Sequence, residues 1–284
     1  MIEKHLALSQ QLDLTDLDWE VARRAGLTPQ EREVLTYFAD IESQTVFYLI
    51  EVLKLRAAQD HDTLAFATIW NYEEYFHGRA IARLLAECGY PLSEQRSIEV
   101  RSTVQLRAKL EDVAQRFLAR LFPRSFVTLW MAWGASQEAL TLRGYERLAA
   151  TTANPVLRTL CDRIAKQERR HFAWYYQTAR EHLSQSRFDQ RFVRFIFERF
   201  WTPVGAGVKS DDQVARLMTG LFSKGDLELA AAEVDQRMGK LPGMAGFDVV
   251  GRWAQQLFRR LPAFGALPAS PTPPDRAVAE RAAA

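Results

Sequence analysis

Two Glu-x-x-His units in the chain each follow a further glutamate at a similar distance. The six residues are Glu42, Glu74, His77, Glu138, Glu168 and His171. Glu42 precedes Glu74 by 32 positions and Glu138 precedes Glu168 by 30, so the chain contains two copies of one pattern. In four-helix bundles that hold two metal ions, two helices give one glutamate each and the other two each give a Glu-x-x-His motif. The spacing therefore predicts a carboxylate-bridged di-metal site.

Local signals predict four long helices that would position these residues. Thr28-Pro29-Gln30-Glu31 combines an N-cap, a first-turn proline and a capping-box glutamate. The predicted helices run from Pro29 to about Ala58, from after Asp62 to about Cys88, from Pro123 to Ala150 and from Pro155 to about Ser184. In each half the turn falls near the midpoint between the two glutamates. Antiparallel packing would therefore bring all four glutamates to one level.

The candidate ligands lie on apolar faces of these helices. Residues three, four and seven positions apart share a helix face, and around Glu168 that face includes Ile164 and Phe172. An ionised carboxylate on a core face is costly unless it is paired, and four converging carboxylates repel one another. Two bound cations would remove both problems.

The ligand types also indicate which metals would bind. Histidine and carboxylate ligands suit iron or manganese and argue against a thiolate site or a structural zinc site. Each metal would take one histidine. Glu74 and Glu168 are then predicted to bridge the two metals, with Glu42 and Glu138 as terminal ligands.

A less specific interpretation must be weighed, since a single Glu-x-x-His on a helix is more often two solvated side chains. The chain has only five histidines, and the two that follow a glutamate by three residues are those at the repeat positions. The other three, His5, His61 and His182, are predicted to lie on the surface. Asp40 and Glu51 are the alternatives to Glu42 on the same helix, but their neighbourhoods are more polar.

Three motifs carry a resemblance to a known family. Residues 70–78, WNYEEYFHG, look like the W-x-x-E-E-x-x-H-G signature of soluble acyl-carrier-protein desaturases. Residues 137–141 are similar to that family's Q-E-x-x-T stretch, and residues 164–171 to its final E-x-R-H helix. The match covers about residues 28–180. It implies an all-α fold, a ferritin-like four-helix bundle with a long crossover, to which this chain adds C-terminal helices.

The resemblance also implies a chemistry. Members of this family bind two iron ions, activate O2 with electrons from a ferredoxin and remove two hydrogens from an acyl chain. We therefore expect two Fe ions, with a mixed Mn/Fe pair as the alternative. The expected partners are an acyl carrier protein or other acyl substrate and a ferredoxin-type electron donor. Trp70 is expected on the electron path, and Thr141, one turn after Glu138, is expected to relay a proton at the metals. The alternative role for Thr141 is a hydrogen bond to the carbonyl of Gln137.

One departure from the family pattern lies immediately before the last ligand glutamate. There the family has an acidic residue that accepts a hydrogen bond from a ligand histidine, whereas this chain has Gln167, a weaker acceptor. Residues 168–175 also resemble lipid-binding oxidases similar to the ribonucleotide reductase small subunit. Two alternatives therefore stay open: a lipid-binding Fe/Fe or Mn/Fe oxidase or monooxygenase, and a non-catalytic ferritin-like iron-binding protein.

Composition predicts one helical domain, residues 1–261, and a Pro- and Ala-rich tail, residues 262–284, which we expect to be disordered. Further helices are predicted at about residues 186–201, 211–240 and 247–261. Two cysteines imply no disulfide framework. Without a signal peptide or a run of membrane-spanning length, a cytoplasmic protein with no membrane span is expected. A net charge of +2 and the lack of a nucleic-acid module predict no nucleic-acid partner, and a homodimer is left open.

Overall fold

Helices are the regular elements of the chain. A computed structural model describes residues 2–53, 60–102 and 119–260, and this part contains no β-strand. The helices with both ends in the described part are α1 (Ile2–Leu8), α2 (Trp19–Ala25), α3 (Pro29–Leu53), α4 (His61–Glu87), α5 (Arg96–Ser102), α6 (Pro123–Thr151), α7 (Pro155–Gln185), α8 (Arg187–Phe200), α9 (Asp211–Leu221), α10 (Lys224–Met238) and α11 (Val249–Arg260). The predicted all-α class is confirmed for these residues.

Side-chain oxygens satisfy backbone N–H groups where two of the long helices begin. The Thr28 hydroxyl accepts a hydrogen bond from the Glu31 N–H at 3.1 Å, and the Glu31 carboxylate accepts one from the Thr28 N–H at 2.7 Å. This is the capping box predicted from the sequence. At the start of α7 the Asn154 side chain accepts hydrogen bonds from the N–H groups of Val156 and Leu157. These caps set where α3 and α7 start, and so the register of the ligands that follow.

Helices α3 and α4 pack along each other in opposite directions. In the second half of α4, a side chain at Gly78 would meet the Cβ of Glu42 at 3.2 Å. Two turns earlier on α4, the Asn71 side chain donates a hydrogen bond at 3.1 Å to Thr45, which lies later on α3. The order of these contacts shows that the pair is antiparallel. The predicted end of α3 at Ala58 falls in residues 54–59, outside the described residues.

Helices α6 and α7 form the second antiparallel pair. Gly134 of α6 lies against the ring of Tyr175, whereas Glu146, further along α6, pairs with Arg169, which is earlier on α7. The two pairs also contact each other through α4 and α7. Residues 103–118, in the connection between the two pairs, lie outside the described residues.

Large apolar side chains fill the space between the long helices. The fully buried ones include Leu35, Phe66, Met131, Tyr145 and Tyr175. Burying one such side chain contributes about 1.5–3 kcal/mol, so this packing is the main source of stability. We therefore expect most of the stability of the fold to come from these apolar contacts and not from the candidate ligands.

Shorter helices surround these pairs. Of the N-terminal helices, which the sequence patterns did not predict, α1 contacts α4 and α2 contacts both α4 and α7. Helices α8 to α11 correspond to the three segments predicted after the long helices. The predicted tail, residues 262–284, lies outside the described residues. Among the residues that are described, no helix combines the length and the apolar character needed to cross a bilayer.

Candidate metal centre

The six predicted ligands come together in the core. They form two groups whose donor atoms lie within 4.8 Å of one another: Glu42, Glu74, His77 and Glu168, and Glu74, Glu138, Glu168 and His171. Every member is at most 7% exposed. Glu74 and Glu168 belong to both groups, which is the arrangement expected of bridging ligands. Each group also contains one histidine and one further glutamate, as predicted from the sequence.

The two shared carboxylates lie between the two imidazoles. His77 Nδ1 is 3.2 Å from Glu168 Oε1 and 3.7 Å from Glu74 Oε2. His171 Nδ1 is 3.1 Å from Glu74 Oε1 and 3.3 Å from Glu168 Oε2. The ring centroids of the two histidines are 6.0 Å apart. Both Nδ1 atoms therefore point into one buried space that two carboxylates share.

Each histidine has a second ring nitrogen, Nε2, which faces away from the shared carboxylates. This outward nitrogen contacts the residue immediately before the glutamate of the other Glu-x-x-His motif. His171 Nε2 lies 2.7 Å from Glu73 Oε2, and His77 Nε2 lies 2.7 Å from Gln167 Oε1. An Nε2–H donor on each ring leaves Nδ1 free to bind a metal. The exchange between halves follows the sequence repeat, because Glu73 and Gln167 occupy equivalent positions.

An N-terminal residue connects these two partners. The backbone N–H of Gln10 donates to Glu73 Oε1 at 3.3 Å, and the backbone carbonyl of Gln10 accepts from Gln167 Nε2 at 2.9 Å. Arg170 also donates to Glu73 Oε1, at 2.6 Å. The roles of Glu73 and Gln10 were not predicted. The role of Glu73 could have been inferred from the repeat, because it precedes Glu74 as Gln167 precedes Glu168. Nothing in the sequence around Gln10 indicates its contacts with Glu73 and Gln167, which are 63 and 157 positions away.

The four glutamates divide into two protonation classes. Burial and the neighbouring Glu74 carboxylate raise the pKa of Glu42 well above its usual range, and burial and the charge of Glu168 do the same to the pKa of Glu138. Burial also opposes ionisation of Glu74, but its close contacts with Glu42 and the two histidines lower its pKa. Burial and the charge of Glu74 oppose ionisation of Glu168, but its contacts with His171 and His77 lower its pKa. These pKa directions favour ionisation of the two shared carboxylates over the other two.

Both histidines are stabilised in the charged form. Burial disfavours an imidazolium, but the close carboxylates of Glu168 and Glu74 outweigh it and raise the pKa of His77 to about 9. For His171 burial is outweighed by Glu168, by Glu73 and by Glu74, and the pKa is raised well above the usual value. Without a metal ion, the protons on the two histidines would balance the negative charge of Glu74 and Glu168, which a bound cation would otherwise do.

Poorly paired ligand atoms support the interpretation as a metal site. Glu74 Oε1, His77 Nδ1 and Glu168 Oε1 are buried, and their close contacts with the imidazole and carboxylate atoms around them, at 3.1 and 3.2 Å, lack the alignment of a hydrogen bond within the described part of the chain. Leaving a buried polar atom unpaired costs about 1–3 kcal/mol. A cation at the centre of each ligand group would contact these atoms directly. The buried glutamates and histidines can therefore hold metal ions.

Trp70, predicted on the electron path, contacts the ligand set. Its indole Nε1–H donates to Glu138 Oε1 at 3.0 Å. Tyr145 has the equivalent contact in the other half, where its hydroxyl donates to Glu42 Oε1. Tyr145 was not predicted as a site residue, although it lies seven positions after Glu138 on the same helix face. Both contacts fix the terminal carboxylates from the side of the apolar core.

Thr141 lies one turn after Glu138 on α6 and is half-buried. Within the described part of the chain, no hydrogen bond from its hydroxyl to the Gln137 carbonyl is present, unlike Thr151, which donates to Arg147. Its proton-relay role stays a prediction.

One expectation about a neighbouring polar residue needs correction. His5, expected on the surface, is only 8% exposed and packs against Phe66 and Trp174, because α1 covers α4. Asp40 lies in a polar neighbourhood, as expected: it is buried, but it is paired with Arg96 at 2.8 Å and with Lys209, and it does not join the candidate ligands.

The other two histidines that were predicted to lie on the surface differ in exposure. His61 is exposed, as predicted, and His182 is half-buried beside Thr128. The side chain of Glu51 lies outside those described.

A scan of the chain against protein-family models and a search among curated proteins each found no match. The six candidate ligands and the residues that orient them are therefore the features of the molecule that indicate a function.

Proposed function

We propose that the chain is a ferritin-like di-iron oxidoreductase that uses O2 to desaturate a carrier-bound acyl chain. The observation that carries the proposal is the pair of four-residue ligand groups that share Glu74 and Glu168. Two antiparallel helix pairs supply the ligands in the order expected for a bundle of this class. The W-x-x-E-E-x-x-H-G and Q-E-x-x-T resemblances favour the desaturase activity over other di-iron chemistries.

The chemistry of the ligand set favours iron. Four carboxylates and two imidazoles are hard and intermediate donors, which suit iron and manganese. Two divalent ions would balance the four carboxylate charges once the ligands have lost their protons. With the metals bound, Glu73 and Gln167 would keep each imidazole in the tautomer that presents Nδ1 to the metal.

The side of the site next to Glu138 supports an apolar substrate. Trp70 lies 6.2 Å from Tyr175, measured between ring centroids, and Phe66 packs 4.8 Å from Tyr175, and all three side chains are buried. Such an aromatic wall excludes water and can contact an alkyl chain through dispersion. Holding the chain in one place next to the oxidant is what would select one carbon pair among chemically similar CH2 groups.

The proposed reaction balances with a two-electron donor. The acyl chain loses two hydrogens and gains a carbon–carbon double bond. O2 takes the two electrons and two protons of these hydrogens, two electrons from reduced ferredoxin and two protons from solvent, and becomes two water molecules. The bound iron would supply the oxidising power for breaking the C–H bonds. Trp70 would hold Glu138 through its indole N–H while the charge at the metals changes.

Metal analysis tests the first half of the proposal. Protein made in iron-replete medium should contain about two iron ions per chain, because six converging ligands are present. Glu74→Ala and His171→Ala should each lower that content, whereas Glu228→Ala, on the surface of α10, should not. Circular dichroism would show that the variants are folded. Wild-type protein that neither contains iron nor takes it up would contradict the proposed site.

A turnover assay tests the second half. With a ferredoxin, its reductase and O2, the protein should convert an acyl chain on an acyl carrier protein to a product two hydrogens lighter by mass spectrometry. A gain of one oxygen would instead identify a monooxygenase. Iron-loaded protein that turns over no acyl substrate but copurifies with a free lipid would identify a ligand-binding oxidase.

A further inference from the structure

The two halves of the site differ at one pair of equivalent residues. His171 donates its outward N–H to a carboxylate, Glu73, whereas His77 donates to a neutral amide, Gln167, and both distances are 2.7 Å. The inner ligands show no such difference, since each half has one histidine, one terminal glutamate and the two shared carboxylates. The terminal glutamates have different hydrogen-bond donors, Tyr145 for Glu42 and Trp70 for Glu138, but both donors are neutral. The residues behind the histidines are the pair that differs in charge.

The backbone of Gln10 requires this difference. Its N–H points to Glu73 Oε1, where only an acceptor can bind, and its carbonyl points to Gln167 Nε2, where only a donor can bind. An ionised carboxylate at position 167 would face the Gln10 carbonyl without a proton to share. One residue of the N-terminal segment thus matches a carboxylate on one side and an amide on the other.

We propose that the two metal positions are unequal, and that the position formed by Glu138 and His171 fills before the position formed by Glu42 and His77. The inference rests on the metal-binding part of the proposed function and not on the reaction. Residues Glu73, Gln167 and Gln10 determine the order of filling.

The physical reason is the basicity of the imidazole. A carboxylate that accepts the outward N–H gives electron density to the ring and strengthens its bond to a metal, and losing such a partner typically lowers metal affinity about 10–100-fold. Arg170 and Gln10 occupy Glu73 Oε1, which keeps Oε2 directed at His171. The neutral amide oxygen of Gln167 increases the basicity of His77 less than the Glu73 carboxylate increases that of His171.

The test uses Co²⁺ alone as the metal, because it is stable in air as a divalent ion and has visible absorption when bound. Two ions that share carboxylates repel each other, so stepwise binding by itself does not identify the first position. Crystals of metal-free wild-type protein given one equivalent of Co²⁺ should show, by anomalous scattering, about ten times more occupancy at Glu138 and His171 than at Glu42 and His77.

Variants assign the cause in solution. His171→Ala should remove the tight binding step and His77→Ala the weak one. Glu73→Gln should weaken the tight step about 10–100-fold, toward the weak one. Glu228→Ala is the control, because this carboxylate is exposed on α10 and remote in sequence from the candidate ligands, and it should change neither step.

Several results would overturn the inference. These are equal occupancy of the two positions, first occupancy at Glu42 and His77, or a tight step that survives His171→Ala but is lost in His77→Ala. If Co²⁺ binds equally at both positions, the di-metal site stands and the unequal loading is wrong. If wild-type protein binds no Co²⁺ or iron at all, the proposed function fails with it. The occupancy measurement needs only wild-type protein, so a variant that misfolds does not leave the inference undecided.

Discussion

At the scale of single residues, the ligand set balances its own charge when no metal is bound. Burial and the charges of Glu74 and Glu168 raise the pKa of Glu42 and Glu138 and so favour their neutral form. The lowered pKa of each shared carboxylate and the raised pKa of His77 and of His171 favour the charged form of these four groups. The folded protein can therefore keep four acidic groups in an apolar core. A metal ion that enters must displace the protons that make this arrangement tolerable.

Metal binding should therefore release protons. Two divalent ions need deprotonated ligands, so one proton should leave each of Glu42, Glu138, His77 and His171. The pKa of His77 is raised to about 9, so its proton competes with the metal at every lower pH. Affinity should fall as the pH is lowered below that value, by about tenfold per pH unit for each proton displaced.

Calorimetric titration with Co²⁺ in buffers of different ionisation enthalpy measures the number of protons released. Glu228→Ala should behave like wild type, since this residue is remote from the ligands in sequence and exposed. Binding with no proton release and no pH dependence between pH 6 and 9 would show that the ligands are already deprotonated in the metal-free protein.

The residue types of the site were predictable because ligand chemistry is tied to helical spacing. All six ligands follow from a repeat of Glu and Glu-x-x-His on apolar faces, and the structure brings all six together. The partners behind them were harder to predict. Gln10 acts through its backbone from a segment between α1 and α2, and backbone contacts leave no trace in residue type. The polar neighbourhood of Asp40 was predictable from nearby residues, but its two cations, Arg96 and Lys209, were not, since they lie far along the chain.

At the scale of elements, the long helices were predictable because each has local start signals and a continuous apolar face. The capping box at Thr28 and Glu31 and the Asn154 cap are where the sequence placed them. Helices α1 and α2 are seven residues each, too short for a periodic pattern to be distinguished from a loop. The burial of His5 by α1 could not be predicted for the same reason.

A glycine sets how closely α6 and α7 approach each other. A Cβ added at Gly134 would lie 2.5 Å from the ring of Tyr175, which is 1% exposed and has no room to move away. Gly134→Ala should therefore destabilise the protein by about 1–3 kcal/mol through overpacking, although alanine favours the helix. Thermal unfolding followed by circular dichroism should show a lower Tm.

Gly225 provides the matched control for this substitution. It lies in the first turn of α10, and an added Cβ would have no neighbour within 4 Å in the described part of the chain. Gly225→Ala should leave Tm unchanged or raise it, because alanine has the higher helix propensity by up to about 1 kcal/mol. If the two variants unfold at the same temperature, the contact of Gly134 with Tyr175 does not limit the approach of the helices.

At the scale of the whole molecule, the ligand set connects all four long helices. Glu42 comes from α3, Glu138 from α6, and the two Glu-x-x-His motifs from α4 and α7. A ligand that binds only the folded state stabilises it by about 2.7 kcal/mol at a concentration 100 times its Kd. Metal binding should thus raise the Tm of the entire domain. The effect on the metal-free fold should depend on which carboxylate is changed.

Two isosteric substitutions, Glu138→Gln and Glu168→Gln, should differ in their effect on the stability of the metal-free protein. Glu138 is held protonated, so a neutral amide of the same shape should leave the Tm of metal-free protein nearly unchanged and still accept the Trp70 indole N–H. Glu168 is ionised between two imidazolium rings, and neutralising it leaves buried positive charge without its partner, which costs about 3–5 kcal/mol. Metal-free Glu168→Gln should therefore unfold at a clearly lower temperature, and neither variant should gain the full rise in Tm on adding Co²⁺. Equal loss of stability in both variants would show that the terminal and shared carboxylates do not differ in charge.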